Sequence, residues 1–263
     1  MNAKELSLFA LEIAKGAGEI LKKGYRSTFD IQAKGSYHDL VTEYDLKSES
    51  YLLSALKKKY PTHATLSEES GHSFLQEAEV TWIIDPLDGT NNFAHGLPIF
   101  SVSIAASYKN EIIAGAIVNP ITQEAFHTYI QGGSYLNEKK IEVSSTKQLD
   151  HSFLAVGFPY NIELNPLHCI EQFTRSLHKG MPLRRLGSAA IDLAYVASGR
   201  FDGYWETVLS PWDFAAGSLL IKEAGGRMTQ IDGSSNTFHT KNSVVASNGL
   251  LHDELLLHLR MDT

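Results

Sequence analysis

The chain has 263 residues, 43% of them hydrophobic and 20% charged, with a formal net charge of -7 and an isoelectric point near 5.9. That length can bury a large core as one unit or two abutting halves, and the composition is that of an ordinary globular protein. The acidic balance argues against broad electrostatic binding of nucleic acid, which calls for a basic stripe.

Cys169 is the only cysteine, which excludes an internal disulfide and a thiolate metal site and suits a reducing compartment. The start, Met1-Asn2-Ala3-Lys4-Glu5, is amphipathic and partly acidic rather than a signal peptide. The apolar run at 112–118 is too short to span a bilayer. A cytoplasmic protein that avoids membranes is the expectation.

Leu6, Phe9, Ala10, Ile13, Ala14, Ala17, Ile20 and Leu21 recur at helical spacing and predict a long first helix that Gly24 ends. A loop with Lys34-Gly35-Ser36 leads to Asp39-Leu40-Val41-Thr42, where Thr42 can cap a second helix with Asp45 three residues on, a loose capping box. Tyr51, Leu52, Ala55 and Leu56 carry that helix until Pro61 stops it. Glu68 and Glu69 follow a short extended piece, Leu66-Ser67. Trp82, Ile83 and Ile84 read as a buried strand that stops at Asp85, where Pro86 and Gly89 force a turn. β-type runs at 100–106, 112–118 and 125–129, separated by Lys109-Asn110 and Asn119-Pro120-Ile121-Thr122, predict a meander. From about Ser152 the pattern alternates. Strands are expected at 153–156, 201–205 and 228–231, and helices at 167–177, around 191–197 and from near Pro211. Such alternation favours an α/β sheet. No repeat, low-complexity tract or flexible linker interrupts the chain, so its halves should pack rigidly.

The stretch Asp85-Pro86-Leu87-Asp88-Gly89-Thr90-Asn91-Asn92-Phe93 puts two carboxylates and a hydroxyl at one strand end. The amides of Gly89 and Thr90, just before a helix start, can face an anion. Hard oxygen ligands beside such a turn are what Mg²⁺-assisted phosphate chemistry requires. Asp88-Gly89 alone would read as a hairpin, but a hairpin needs neither the second Asp nor the Thr. In Ser210-Pro211-Trp212-Asp213 the residues suit N-cap, first and third helical positions. Leu186-Gly187-Ser188-Ala189 precedes a helix that Ser188 can cap, and Tyr204-Trp205-Glu206 reads as a strand end. The eleven histidines are scattered with no helix-borne pair, which argues against a zinc hydrolase. Oxygen donors select Mg²⁺, with Mn²⁺ as substitute. No phosphate-loop or dinucleotide fingerprint appears, so ATP and dinucleotide cofactors are not indicated. Water is the expected nucleophile.

Together these strings, from Lys34 to Glu223-Ala224-Gly225-Gly226, closely resemble the signatures of the inositol monophosphatase family of Mg²⁺-dependent, lithium-sensitive phosphatases. The resemblance implies a layered α-β-α-β-α sandwich, α+β with a largely antiparallel sheet in residues 1–150 and an α/β sheet in 151–263. The first half would carry most metal ligands, the second the substrate contacts and one metal ligand. By resemblance, Glu68, Asp85 and the Leu87 carbonyl would hold one Mg²⁺, and Asp85, Asp88 and Asp213 a second. Glu69 is the lesser candidate for the place given to Glu68, and a third, loosely held ion would sit near Glu68. Thr90, supported by Asp45, would align a water that Glu68 helps to position. Asp88, Gly89, Thr90 and Asp213 would face the phosphate, while Gly187, Ser188, Ala189 and Glu206 would face a polyol. Lys34 would be a loop contact. The family often has Thr where this chain has Ser188, which keeps the hydroxyl. Asn91-Asn92-Phe93 looks like the inositol monophosphatase branch rather than the Lys-Glu-Phe of 3′-phosphoadenosine 5′-phosphate branches. The implied activity is hydrolysis of inositol monophosphate by a homodimer. Fructose 1,6-bisphosphate, NADP and 3′-phosphoadenosine 5′-phosphate are alternative substrates, and a regulatory protein contacting transcription or ribosomal machinery is the rival from another class.

Overall fold

The computed structural model describes residues 2–33, 40–73 and 78–261. Lys34 and Asp39 lie outside the described residues. Helix α1 (Ala3–Gly24) opens with the Asn2 side chain accepting the Glu5 N–H at 3.3 Å. Its stripe of Leu6, Phe9, Ala10, Ile13, Ala14, Ala17 and Leu21 is buried. Strands β1 (Ile31–Ala33) and β2 (Leu40–Thr42) pair antiparallel and lead into α2 (Glu43–Lys59). The capping box is present: Asp45 Oδ2 accepts the Thr42 N–H at 2.8 Å and the Thr42 hydroxyl at 2.6 Å, and Thr42 Oγ1 accepts the Tyr44 N–H at 3.1 Å.

The first sheet contains β3 (Ala64–Ser67), β4 (Gly71–Ser73), β5 (Val80–Asp88), β6 (Ser101–Tyr108), β7 (Glu111–Asn119), β8 (Glu124–Tyr129), β9 (Gly133–Leu136) and β10 (Lys139–Ile141), with the short α3 (Thr90–Ala94) after β5. Their order is β10-β9-β8-β7-β6-β5-β3-β4. Every neighbour is antiparallel except the parallel pair β3–β5. Trp82, Ile84, Val102, Ile104, Ala116 and Val118 pack against α1 and α2, while Ile83, Ala105 and Ile117 face the opposite layer. Both faces are covered, which is why these strands read as continuous apolar runs.

The second half supplies β11 (Leu154–Val156), α4 (Cys169–His178), β12 (Leu183–Arg184), α5 (Ala189–Ala197), β13 (Gly203–Leu209), α6 (Pro211–Glu223), β14 (Arg227–Thr229), β15 (Asn242–Ser247) and α7 (His252–Leu259). Its sheet runs β12-β11-β13-β15-β14; β11 is parallel to β12 and β13, and β15 antiparallel to β13 and β14. Helices α5 and α6 lie between the two sheets. Leu255, Leu256 and Leu259 of α7 and Phe173 of α4 cover the outer face. The result is the layered α-β-α-β-α sandwich, largely antiparallel in its first sheet. Small residues set the middle layer: a Cβ on Gly115 would stand 3.1 Å from the Ala216 Cα, so β7 and α6 meet almost backbone to backbone.

Three expectations need correction. The strand at Trp82 does not stop at Asp85 but runs to Asp88 through a bulge, since Asp85 pairs with Ser103 and Asp88 with Ser101. Pro86 has no N–H to offer the ladder and is accommodated in that irregularity. Glu206 is not a strand end: β13 continues to Leu209 after a register shift, and Glu206 is buried. The helix expected at 167 begins at Cys169, because Asn165, Leu167 and His168 take left-handed φ values of 47°, 52° and 59°. Strand β15 and helix α7 were not anticipated. Among the described residues no helix is long and apolar enough to cross a membrane.

Candidate active site

The bulge in β5 builds the centre of the site. It puts Asp85 and Asp88 on the strand rim, and the Asp85 Oδ1 accepts the Leu87 N–H at 3.0 Å. Glu68 comes from the turn after β3, its N–H donating to the Ile84 carbonyl at 3.2 Å. Asp213 comes from the first turn of α6, where its Oδ2 accepts the Ser210 N–H at 2.7 Å in a second capping box. Strand, turn and helix thus deliver Glu68, Asp85, Asp88 and Asp213 to one place.

Their charges act on one another. Burial pushes the Asp85 carboxyl well above its ordinary value, and the charges of Glu68, Asp88 and Asp213 raise it further. Asp213 is raised for the same first reason, with Glu68 and Asp88 adding to it. Asp88 rises from 3.8 to about 6, because burial outweighs the hydrogen bonds it receives. Those bonds come from the N-terminus of α5: the Ser188 hydroxyl, the Ala190 N–H at 2.9 Å and the Ala189 N–H at 3.3 Å. Glu68, rather than Glu69, is the residue whose charge acts on the other three.

Low-dielectric surroundings make such a cluster costly unless protons or cations neutralise it. The donors are carboxylate and carbonyl oxygens, which suit a hard divalent cation such as Mg²⁺. Yet among the described residues no three His, Cys, Asp or Glu side chains are already arranged to hold a metal ion. Asp88 is turned onto the α5 amides and the Ser188 hydroxyl. The arrangement is a carboxylate cluster rather than a finished cage.

Beside it, the Thr90 hydroxyl reaches Asp45 Oδ1 at 2.9 Å and the Leu87 carbonyl at 3.0 Å. Burial raises Asp45 from 3.8 to about 6, against the lowering effect of its bonds from Thr42 and Thr90. Gly89 begins α3 in the left-handed region at φ 90°. A Cβ there would meet the Ile99 carbonyl at 3.0 Å and the Gly187 carbonyl at 3.2 Å. Gly89→Ala therefore combines a left-handed penalty of about 1–2 kcal/mol with a clash. The expected outcome is a lower melting temperature, read by thermal denaturation.

On the side of the second sheet, Gly187, Ser188 and Ala189 lie at the start of α5, and Glu206 points from β13. The Tyr204 hydroxyl donates to Glu206 Oε2 at 2.5 Å. Burial lifts Glu206 from 4.5 to about 7, partly offset by Tyr204, while Asp88 adds to the rise. The Ala189 amide, expected to face a polyol, donates to Asp88 in this structure.

Several contributors escaped the sequence reading. Asn92 Nδ2 donates to the Ile99 carbonyl at 2.7 Å and the Leu186 carbonyl at 2.8 Å, clasping the loop before α5 to the first half. Asp192 is buried beside Glu206 and Asp88; burial raises its carboxyl well above normal, and Oδ1 has no hydrogen-bond partner. A lone Asp within the apolar run Ala189-Ala190-Ile191-Asp192-Leu193-Ala194 was the available signal. Tyr204 had none beyond the need of a buried hydroxyl for a partner.

The chain belongs to the inositol monophosphatase family, whose model matches residues 2–262. It is 41% identical over 246 residues to the inositol-1-monophosphatase of Synechocystis sp., covering 94% of this chain and 85% of that protein. It is 40% identical over 245 residues to the Nus factor SuhB of Pseudomonas aeruginosa, covering 91% of this chain and 90% of that one. Among solved structures, the extragenic suppressor protein suhB from Bartonella henselae aligns with a TM-score of 0.92 at 34% identity, covering 98% of this chain and 100% of that chain.

Proposed function

We propose that this protein hydrolyses phosphate monoesters with Mg²⁺ and that inositol monophosphate is its substrate. The observation that carries the reading is the convergence of Glu68, Asp85, Asp88 and Asp213: the charge of Glu68 acts on all three aspartates, that of Asp88 on Asp85 and Asp213, and that of Asp213 on Asp85, with Asp85 and Asp88 buried. Asn91-Asn92-Phe93 and the relative named inositol-1-monophosphatase favour inositol monophosphate over other phosphate esters.

Glu68, Asp85 and the Leu87 carbonyl would hold one Mg²⁺, and Asp85, Asp88 and Asp213 the second; Mn²⁺ could substitute, and Glu68 would also serve a third ion. Bound there, the cations would acidify water and neutralise charge on the ester oxygens. The chain's own groups do the orienting. Thr90 has one hydroxyl proton; given to Asp45, it leaves the lone pairs of Oγ1 to accept from an attacking water. The Gly89 and Thr90 amides would face the phosphate. Glu206, steadied by Tyr204, would accept a hydroxyl of the polyol, with Gly187, Ser188 and Ala189 lining that side and Lys34 as a further contact. Residues 1–150 would then carry most of the cation site and 151–263 the polyol site. A cytoplasmic homodimer completes the proposal, and sedimentation analysis tests its assembly. The relatives named Nus factor SuhB support a second, non-catalytic role in contact with transcription machinery.

Turnover should vanish in excess chelator, return with Mg²⁺ and fall with millimolar lithium, because Li⁺ resembles Mg²⁺ in size but carries half the charge. A panel of inositol, sugar and nucleotide phosphates tests the substrate: strong preference for any ester other than inositol monophosphate would displace it. Full turnover in chelator would end the metal reading.

Stability gives an independent measure. A carboxyl raised from about 4 to 6 or 7 keeps its proton in the folded state where the unfolded chain has lost it, so its burial penalty is present at high pH and relieved as pH falls through the raised value. His252 and His258, lowered to about 4, act in the opposite sense, costing stability as pH falls below 6.5. The thermal shift caused by Mg²⁺ cancels the histidines and isolates the cluster. It should be larger at about pH 8 than at about pH 5.5, where protons compete with the cation. Equal shifts at both values would show that Asp88 and the carboxylates grouped with it, Glu68, Asp85 and Asp213, do not bind it.

A further inference from the structure

One side of α2 touches three segments that carry candidate ligands. Asp45, Ser48 and Glu49 are three and four residues apart, so their side chains share a helix face, and all three are buried. Asp45 reaches Thr90. The Ser48 hydroxyl donates to the Pro86 carbonyl at 2.7 Å, inside the bulge that separates Asp85 from Asp88. Glu49 reaches the turn that presents Glu68.

At that turn a single oxygen, Glu49 Oε1, accepts from the Ser67 hydroxyl, the Ser70 N–H at 3.1 Å and the Ser70 hydroxyl at 3.1 Å. Glu68 lies between those serines, and its own N–H is tied to the Ile84 carbonyl at 3.2 Å, next to Asp85. Both shoulders of the turn are thus fastened to α2, and its middle to β5. Of the residues assigned to the two cations, Glu68 alone stands on neither a strand nor a helix. Its ordering is therefore the part of cation binding that the regular elements do not provide in advance.

We propose that Glu49 is a positioning residue that fixes Glu68 for cation binding, with Ser67 and Ser70 as its two points of hold. The proposal rests on the metal-dependent reading above. Mg²⁺ titrated calorimetrically into the chelator-stripped full chain tests it, alongside melting curves in chelator. Glu49→Ala should weaken Mg²⁺ uptake about 10–100-fold, the usual effect of losing a partner that orients a ligand. Glu49→Gln keeps an oxygen that can accept from the same serines and should stay near the parent. A lower melting temperature with parent-like Mg²⁺ affinity in Glu49→Ala would overturn the proposal and leave Glu49 a packing residue. Should Glu49→Ala fail to fold, Ser67→Ala and Ser70→Ala each remove a donor at the turn. Weaker uptake is expected from both, and parent-like uptake in both would overturn it. A parent that takes up no Mg²⁺ would sink the metal-dependent reading itself, and this proposal with it.

Discussion

Asp85→Asn is expected to abolish almost all turnover while leaving the metal-free protein at least as stable as the parent. Asp85 is the carboxylate assigned to both cations, so its loss should exceed the ~10–100-fold effect of removing an outer partner. The stability side runs the other way. Asp85 is buried, and Glu68, Asp88 and Asp213 all oppose its ionisation. An amide of the same shape removes that repulsion and retains an oxygen for the Leu87 N–H, which Asp85 accepts at 3.0 Å. The melting temperature in chelator should hold or rise, and the further rise caused by Mg²⁺ should shrink. A plain turn residue would behave oppositely, with activity kept and stability lost. Parent-like turnover in the mutant would refute the bridging assignment.

Much of the fold was legible because burial leaves a mark on spacing. The stripe of α1 and the doubly covered runs of β5, β6 and β7 show in the chain as helical recurrence and as continuous apolar stretches. The second half was harder to read. Helices α5 and α6 lie between two sheets and are buried almost all round, so they are read from Ser188, Ser210 and Pro211 at their starts rather than from an amphipathic stripe. Strand β15 offers only Val244, Val245 and Ala246 among polar neighbours. Pro86 misled for a physical reason: proline normally ends a central strand, and a bulge is the exception. In the site, the strings holding Asp85, Asp88 and Asp213 stood out because several unusual residues sit side by side. Glu49 did not, and Asn92 stood out only as part of its string, since the contacts of both lie far along the chain. Asn92 meets Leu186 across 94 residues, and Asp88 meets Ser188 across 100. No local pattern records such a pairing.

Thr90→Val and Asp45→Asn should each cut turnover sharply, and the double mutant should be far less impaired than the two losses combined. The geometry gives the reason. Thr90 Oγ1 lies 2.9 Å from Asp45 Oδ1 and 3.0 Å from the Leu87 carbonyl, but it has one proton to give. With Asp45 ionised the proton goes to the carboxylate, the Leu87 carbonyl stays available as a ligand, and Oγ1 can accept from water. In Asp45→Asn the amide oxygen stays with the two Thr42 donors that now bind Oδ2, so its NH₂ faces Thr90. The hydroxyl must then accept from that NH₂ and turn its proton onto the Leu87 carbonyl. One lone pair of Oγ1 is then occupied by the amide and one of the carbonyl by the hydroxyl proton, so water and cation each meet a weakened acceptor. Thr90→Val deletes the hydroxyl outright while the α2 capping box stays intact. Because both changes break one relay, the coupling between them should reach the ~0.5–3 kcal/mol range seen for residues in one network. If the Thr90 hydroxyl were only structural, Thr90→Val would cost about 1 kcal/mol of stability and leave turnover near normal. Measured kcat for the parent, the two single mutants and the double mutant decides the matter, and strictly additive losses would leave both residues useful but break the relay.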